Sequence, residues 1–285
     1  MSQHKAQQGY FTFAQNTDSV DYLRIAYLQA LNIKATQKHN LFAVAVDENT
    51  RSQLNEKHLS VFDYIIDITH DYTDPTSTWK LANEWQVFWL TPFKETIKLE
   101  SDLLFTRSID HWWTSFRLRD VCLSTGCRNY LQQVSNDRSY RKSFDDNHLP
   151  DVYNGLMYFR YSLLGSKFFN TAKDIFNNWE EVKQHIQGCD ETTPSTDMLY
   201  ALTAHVIGED LCTLPSLDFI NFVHMKPSIN GFDNSQKFTD VFNTEFDNGM
   251  IRINNINQYH PLHYYTKDFA TDELIEYYEQ RRSVG

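Results

Sequence analysis

"TIKLESDLLFT" (Thr96–Thr106) is an apolar run that reads as a buried strand, and it carries two carboxylates, Glu100 and Asp102, where its character changes. In extended backbone, residues i and i+2 point to one side, so the two acids can aim at one point while Ser101 turns away. Carboxylates held so close repel unless a cation lies between them. A hard divalent ion, Mg2+ or Mn2+, is the expected occupant, with a substrate's phosphates completing its shell. Spacing alone leaves a second reading open: surface acids at a strand end that help to start the helix of "SIDHWWTSF".

Outward from this stretch the chain alternates. "GYFTFA" (Gly9 to Ala14) reads as an aromatic-rich strand, and "SVDYLRIAYLQALNIKAT" as a helix with Leu23, Ala26, Tyr27, Ala30 and Leu31 on one face and Asp18 or Ser19 as its cap. "LFAVAV" (Leu41 to Val46) is a short buried strand, "NTRSQLNEKHLS" a polar helix and "DYIIDIT" (Asp63 to Thr69) a third strand. A further helix covers "STWKLANEWQVFWL" and ends at Pro92, before "TIKL". Alternation of this kind implies an α/β fold with a mostly parallel, Rossmann-like sheet and right-handed crossovers. Glu100 and Asp102 then sit at the carboxyl end of about the fourth strand, the edge outside which open α/β sheets bind ligands.

The 285 residues are 41% apolar and 15% aromatic, enough for a sizeable core. No apolar run approaches the roughly 18 residues of a membrane span, and "MSQHKAQQ" has no h-region, so a soluble cytoplasmic protein without membrane partners is expected. The four cysteines form no C-x-x-C pair and read as reduced structural thiols. The net charge of −11 opposes a generally basic nucleic-acid coat. One run departs from it, Arg117 to Lys142, with Arg117, Arg119, Arg128, Arg138, Arg141 and Lys142 against Asp120 and Asp137. Such a run is either solvated surface or a ligand patch.

The ordered stretches "FTFAQN" (Phe11 to Asn16), "LESDLLF" (Leu99 to Phe105), "VYNGLMYF" (Val152 to Phe159), "STDMLYAL" (Ser195 to Leu202) and "FVHMKP" (Phe222 to Pro227) resemble, over roughly residues 9 to 230, the GT-A glycosyltransferases, most closely the glycogenin-like retaining enzymes of family 8. The resemblance implies a metal-dependent transferase that uses a nucleotide diphosphate sugar, a UDP-sugar above all, with Mn2+ or Mg2+ held by Asp102, His224 and Glu100. Glu100 replaces the family's usual Asp, so its extra methylene could turn it from metal to ribose or water. Phe11, Ala14, Gln15, Asn16 and Tyr22 would border the base and ribose, Ser101 would adjoin the donor, and Lys226 and Lys94 would face its phosphates. "HMKP" lacks the Gly-containing spacer that the family places between His and Lys-Pro. Asn154 and Asp197 would contact the donor sugar, Asp197 orienting its hydroxyls or stabilising an oxocarbenium-like transition state; a turn or bulge is the other reading of Asn154-Gly155.

"FTFAQN … VDYLRIAYLQAL … LESDLLF" further resembles glycosyltransferases of large tailed bacteriophages, some of which decorate hydroxylated pyrimidines in their own DNA. That likeness implies a DNA acceptor in the host cytoplasm, with Arg128, Arg138, Arg141 and Lys142 on its phosphates and the base flipped out. The acidity fits a glycan, protein or small-molecule acceptor at least as well. The expected division is a nucleotide-sugar-binding catalytic domain over 1–232, with 233–285 an extension packed on it through aromatic residues and a final helix from about Thr271. A nucleotidyltransferase and a non-catalytic binding or structural protein are the rival classes; the first would carry a Gly- and basic-rich phosphate loop, which the sequence lacks.

Overall fold

A computed structural model describes residues 5–73, 81–135, 141–214 and 220–282. Four parallel strands, β1 (Ala6–Ala14), β2 (Phe42–Val46), β3 (Tyr64–Asp67) and β4 (Phe93–Leu99), form the first part of a six-stranded sheet. β5 (Leu103–Leu104) leaves the sheet directly after the two carboxylates. β6 (Val121–Thr125) and β7 (Val152–Arg160) complete it in the order β3-β2-β1-β4-β7-β6, with β7 antiparallel to both neighbours. The start of β7 therefore lies at the same edge as the ends of β1 to β4. The strands are covered on both faces, which is why "FAVAV" is apolar throughout instead of alternating.

On one face, Tyr10, Val44, Ile97 and Leu99 pack with the helix Tyr22–Thr36 and the last helix, Asp272–Arg282. On the other, Phe11, Ala43, Phe93 and Met157 pack with the helices Leu163–Asn177 and Thr196–Ile207. The helix Tyr22–Thr36 is capped by Asp21, which accepts from Arg24 N at 2.9 Å, instead of by Asp18 or Ser19. It is buried well beyond one face, and its polar members have fixed work: Gln29 Nε2 donates to Glu100 O (2.6 Å) and Leu103 O (2.9 Å). This pins the turn that carries the two acids. The polar helix expected after β2 is two short helices, Glu48–Arg51 and Glu56–Val61. The one expected before Pro92 is, within the described residues, a 3-10 turn, Leu81–Gln86, running into Val87–Leu90.

The C-terminal part reaches back into the molecule. After β8 (Val223–His224), a hairpin-like sheet of β9 (Thr244–Asp247), β10 (Met250–Ile253) and β11 (Ile256–Asn257) precedes β12 (Leu262–His263). β12 lies between β5 and β8, antiparallel to the first and parallel to the second. Residues 233–285, read from sequence as an extension packed on the catalytic domain, thus contribute the central strand of the small sheet beside the carboxylates. No helix among the described residues is long and apolar enough to cross a membrane.

Candidate active site

A cleft of about 630 Å3 opens at the edge where β1 to β4 end and β7 begins. Glu100 N donates to Gly155 O at 3.0 Å, so the acids and the Asn154-Gly155 pair are neighbours across β4 and β7. β7 is irregular here: Leu123 pairs with Met157 but Ser124 with Tyr153, which leaves Asn154 to Leu156 as a bulge. A Cβ on Gly155 would meet the Phe222 ring at 2.7 Å, so glycine is what lets that ring close the wall.

The two carboxylates converge on a residue that the sequence reading left out. His263 Nε2 stands 3.0 Å from Glu100 Oε2 and 3.0 Å from Asp102 Oδ1, and Lys267 Nζ is 2.5 Å from Asp102 Oδ2. Among the described residues, Glu100, Asp102 and His263 are the group whose ligand atoms all lie within 4.8 Å of one another. His224, the expected ligand, is one strand further from the acids: it pairs in register with His263 in β8 and stacks on it, ring centroids 4.3 Å apart and planes at 5°. Its Nδ1 is buried without a hydrogen-bond partner. The signal for His263 and Lys267 was present in "HYYTK" (263–267), a second histidine followed shortly by a lysine. Tyr265 within it has φ 61°, a left-handed conformation that glycine adopts most readily.

Charge explains the pairing. Burial, with Asp102 and Glu84 close by, raises the Glu100 carboxyl above its ordinary range against the pull of His263. Burial would raise Asp102 too, but His263 and Lys267 outweigh it and hold that carboxyl below the carboxylate range. Burial would lower His263; Asp102 and Glu100 outweigh it and raise the imidazole. For His224 the pull of Asp102 is too small to compensate, and burial followed by the charges of His263 and Lys226 pushes it well below the usual histidine value. Burial also lowers Lys226.

The opposite wall carries Asp197 and Asn154. Ser195 caps the helix Thr196–Ile207 and puts Asp197 in its first turn, where Oδ1 accepts from Asn154 N (2.7 Å) and Oδ2 from Arg141 Nη2 (2.7 Å). Beneath them is a second pairing that the sequence reading missed. Lys98, fully buried within β4, places Nζ 2.5 Å from Glu84 Oε2, and Asn154 Nδ2 donates to the same oxygen. A lysine inside a strand with no solvent on either face was its sequence signal, since such an ammonium must be paired.

The remaining expected residues divide. Gln15, Tyr22, Ser101 and Lys226 line the cleft. Phe11 does not: it lies two residues deeper in the core, and Phe13 takes the wall position. Ala14 faces the core on the other side of the sheet. Asn16 braces its own turn, accepting from Leu23 N (2.8 Å) and donating to Gln53 Oε1 (2.8 Å). Lys94 cannot meet the phosphates expected at Glu100, because it is the second residue of β4, at about 3.3 Å per residue some 20 Å from the edge, and is exposed. The basic run does not form one exposed face. Arg117 donates to Glu95 (2.8 Å), Arg128 is buried and donates to Gln132 O (2.6 Å), and Arg141 is buried on Asp197 with its guanidinium 3.8 Å from the Tyr153 ring centroid. Lys142 is exposed, and Arg138 lies outside the described residues.

No protein-family model and no curated protein matches the sequence. Solved structures do match. The bifunctional glycosyltransferase WbbM aligns at a TM-score of 0.52 and 10% identity over 98% of this chain and 50% of its own. The galactosyltransferase LgtC, solved with donor and acceptor sugar analogues, aligns at 0.51 and 10% identity over 97% of this chain and 95% of its own. The glycosyltransferase GlyE of Streptococcus pneumoniae TIGR4 aligns at 0.48 and 10% identity over 76% and 46%. The chain thus spans about half the length of GlyE and WbbM and nearly all of LgtC. The fold is the GT-A fold of glycosyltransferases.

Proposed function

We propose that this chain is a glycosyltransferase that moves a sugar from a nucleotide diphosphate sugar, with UDP-sugars the expected donors, to an acceptor hydroxyl. The observation that carries the reading is the convergence of Glu100, Asp102 and His263 at the carboxyl edge of the sheet, inside a cleft that also holds Lys226 and Lys267. The fold supports it, as does the presence of donor and acceptor analogues in the LgtC structure. Two carboxylates and an imidazole nitrogen in one place fit a divalent ion, and the mixed oxygen and nitrogen donors suit Mn2+ better than Mg2+.

Breaking the anomeric C–O bond leaves positive charge on the sugar ring and negative charge on the departing diphosphate. Bound by Glu100, Asp102 and His263, the ion would supply Lewis-acid neutralisation of that negative charge. Lys226 and Lys267, which line the same cleft, add further positive charge. Asp197, held through both oxygens by Asn154 N and Arg141, faces the donor sugar as a fixed negative group opposite the developing cation. Retention of the anomeric configuration belongs to this proposal, and proton NMR of the first-formed product decides it. Arg128 and Arg141 turned inward support a glycan, protein or small-molecule acceptor over hydroxymethylated DNA. We take residues 1–232 and 233–285 to act as one catalytic unit, because His263 and Lys267 come from the second.

The test is calorimetry with UDP-sugars in Mn2+ and in chelator, followed by an assay for slow hydrolysis. Mn2+-dependent binding with turnover is expected. Binding without turnover or transfer would make the chain a non-catalytic nucleotide-sugar binder, and no binding at all would sink the reading.

A further inference from the structure

Resting on that reading, we infer that Glu84, held by the buried Lys98, is a specificity residue that selects a neutral, hydroxyl-bearing donor sugar over a uronate. Lys98 has no exposure and its side chain is spent on Glu84 Oε2, 2.5 Å away. That same oxygen takes Asn154 Nδ2. A carboxylate only accepts, so the contact fixes the orientation of the Asn154 amide and sends Oδ1 the other way. Asn154 Oδ1 is buried with no hydrogen-bond partner. Glu84 lines the cleft, with Oε1 free of Lys98 and of Asn154. The floor between Asp197 and Glu100 therefore offers Glu84 Oε1 as a hydrogen-bond acceptor, with Asn154 Oδ1 buried beside it and still lacking a donor.

Both atoms need a donated hydrogen. Sugar hydroxyls supply it; a carboxylate at the same place supplies none and is itself left unpaired, since the cations beneath it are already paired with Glu84 and Asp197. Of the positive groups near this floor among the described residues, Lys98 is committed to Glu84 beneath it and Arg141 to Asp197 at 2.7 Å, and Lys226 serves the donor's phosphates in the proposed function. Lys98 neutralises Glu84 without presenting a donor to the cleft, so the floor keeps its accepting character in a site that carries several other acids. Rejection of the wrong sugar arises from leaving the uronate's charge unpaired, which discriminates more sharply than a lost apolar contact.

The experiment is calorimetry in Mn2+ with UDP, UDP-glucose, UDP-galactose, UDP-glucuronate and UDP-galacturonate, on the whole chain and on the double variant Glu84→Gln with Lys98→Met, which removes both buried charges together. The neutral sugars should bind at least about 30-fold more tightly than their uronates, and in the double variant that ratio should fall below about 3-fold while UDP affinity stays within about 2-fold. Where the double variant does not fold, Glu84→Asp keeps the charge but withdraws the oxygen by one methylene, and the gain of a neutral UDP-sugar over UDP should drop by about 10-fold. Uronates bound as tightly as neutral sugars by the unaltered chain would overturn the inference, as would full discrimination in the double variant or an unchanged gain in Glu84→Asp. If UDP itself fails to bind, the glycosyltransferase reading falls, and this inference with it.

Discussion

Two segments, "VHMKP" (Val223–Pro227) and "LHYYTK" (Leu262–Lys267), each place a histidine on a short strand of one sheet and a lysine shortly after it. Their histidines pair in register and stack, yet their surroundings push the two imidazoles in opposite directions. His263 lies on β12, whose other neighbour is β5, the strand that follows the two carboxylates, and Tyr264 N donates to Asp102 O at 3.1 Å. His224 on β8 is screened from the acids by the His263 ring. One strand of displacement, about 4.8 Å, separates an imidazole paired with two carboxylates from one kept neutral by burial. Residue type and spacing do not set a histidine beside the acids; the neighbouring strand does.

The largest effect that would break this comparison lies in the shared acid. Asp102→Ala should abolish Mn2+-dependent donor binding and transfer while the thermal transition without ligand stays cooperative; full activity in excess chelator would mean that the cluster holds no catalytic ion. The two histidines are the direct contrast. His263→Ala should weaken Mn2+ affinity by at least about 100-fold, and His224→Ala, which removes only a stacked ring, by about 10-fold or less. Titration of Mn2+ by paramagnetic resonance measures both, and the reverse order would return the ligand role to His224.

On the opposite wall, Asp197→Asn should lower kcat about 100-fold and leave donor Kd within about 3-fold, since in the proposed function its carboxylate faces charge that develops only during the reaction. Loss of donor affinity at unchanged kcat would show that it merely binds the sugar. The smallest effect concerns the spacer. Tyr265 at φ 61° bears a side chain in left-handed backbone, so Tyr265→Gly should be more stable than Tyr265→Ala by about 1 kcal/mol in urea unfolding. Equal stability of the two would mean that the turn stores no strain.

The sequence alone determined the alternating strands and helices as far as β4, the edge at which they end, and the pair Glu100 and Asp102 on one side of the chain. These are local properties. Apolar runs, periodicity and the two-residue repeat of a strand all act within about ten neighbouring residues. It also marked Asn154 and Asp197, which the structure brings together by the hydrogen bond from Asn154 N. Lys94 was misplaced because a strand has two ends and charge does not say which one faces a ligand. The basic run failed as a surface because burial of Arg141 on Asp197 joins residues 56 positions apart. Only the tertiary structure decided that β12 would lie between β5 and β8, bringing His263 and Lys267 to Asp102 across 161 and 165 positions. Strand order in a small sheet follows from which apolar faces can be covered together, and that depends on the whole core.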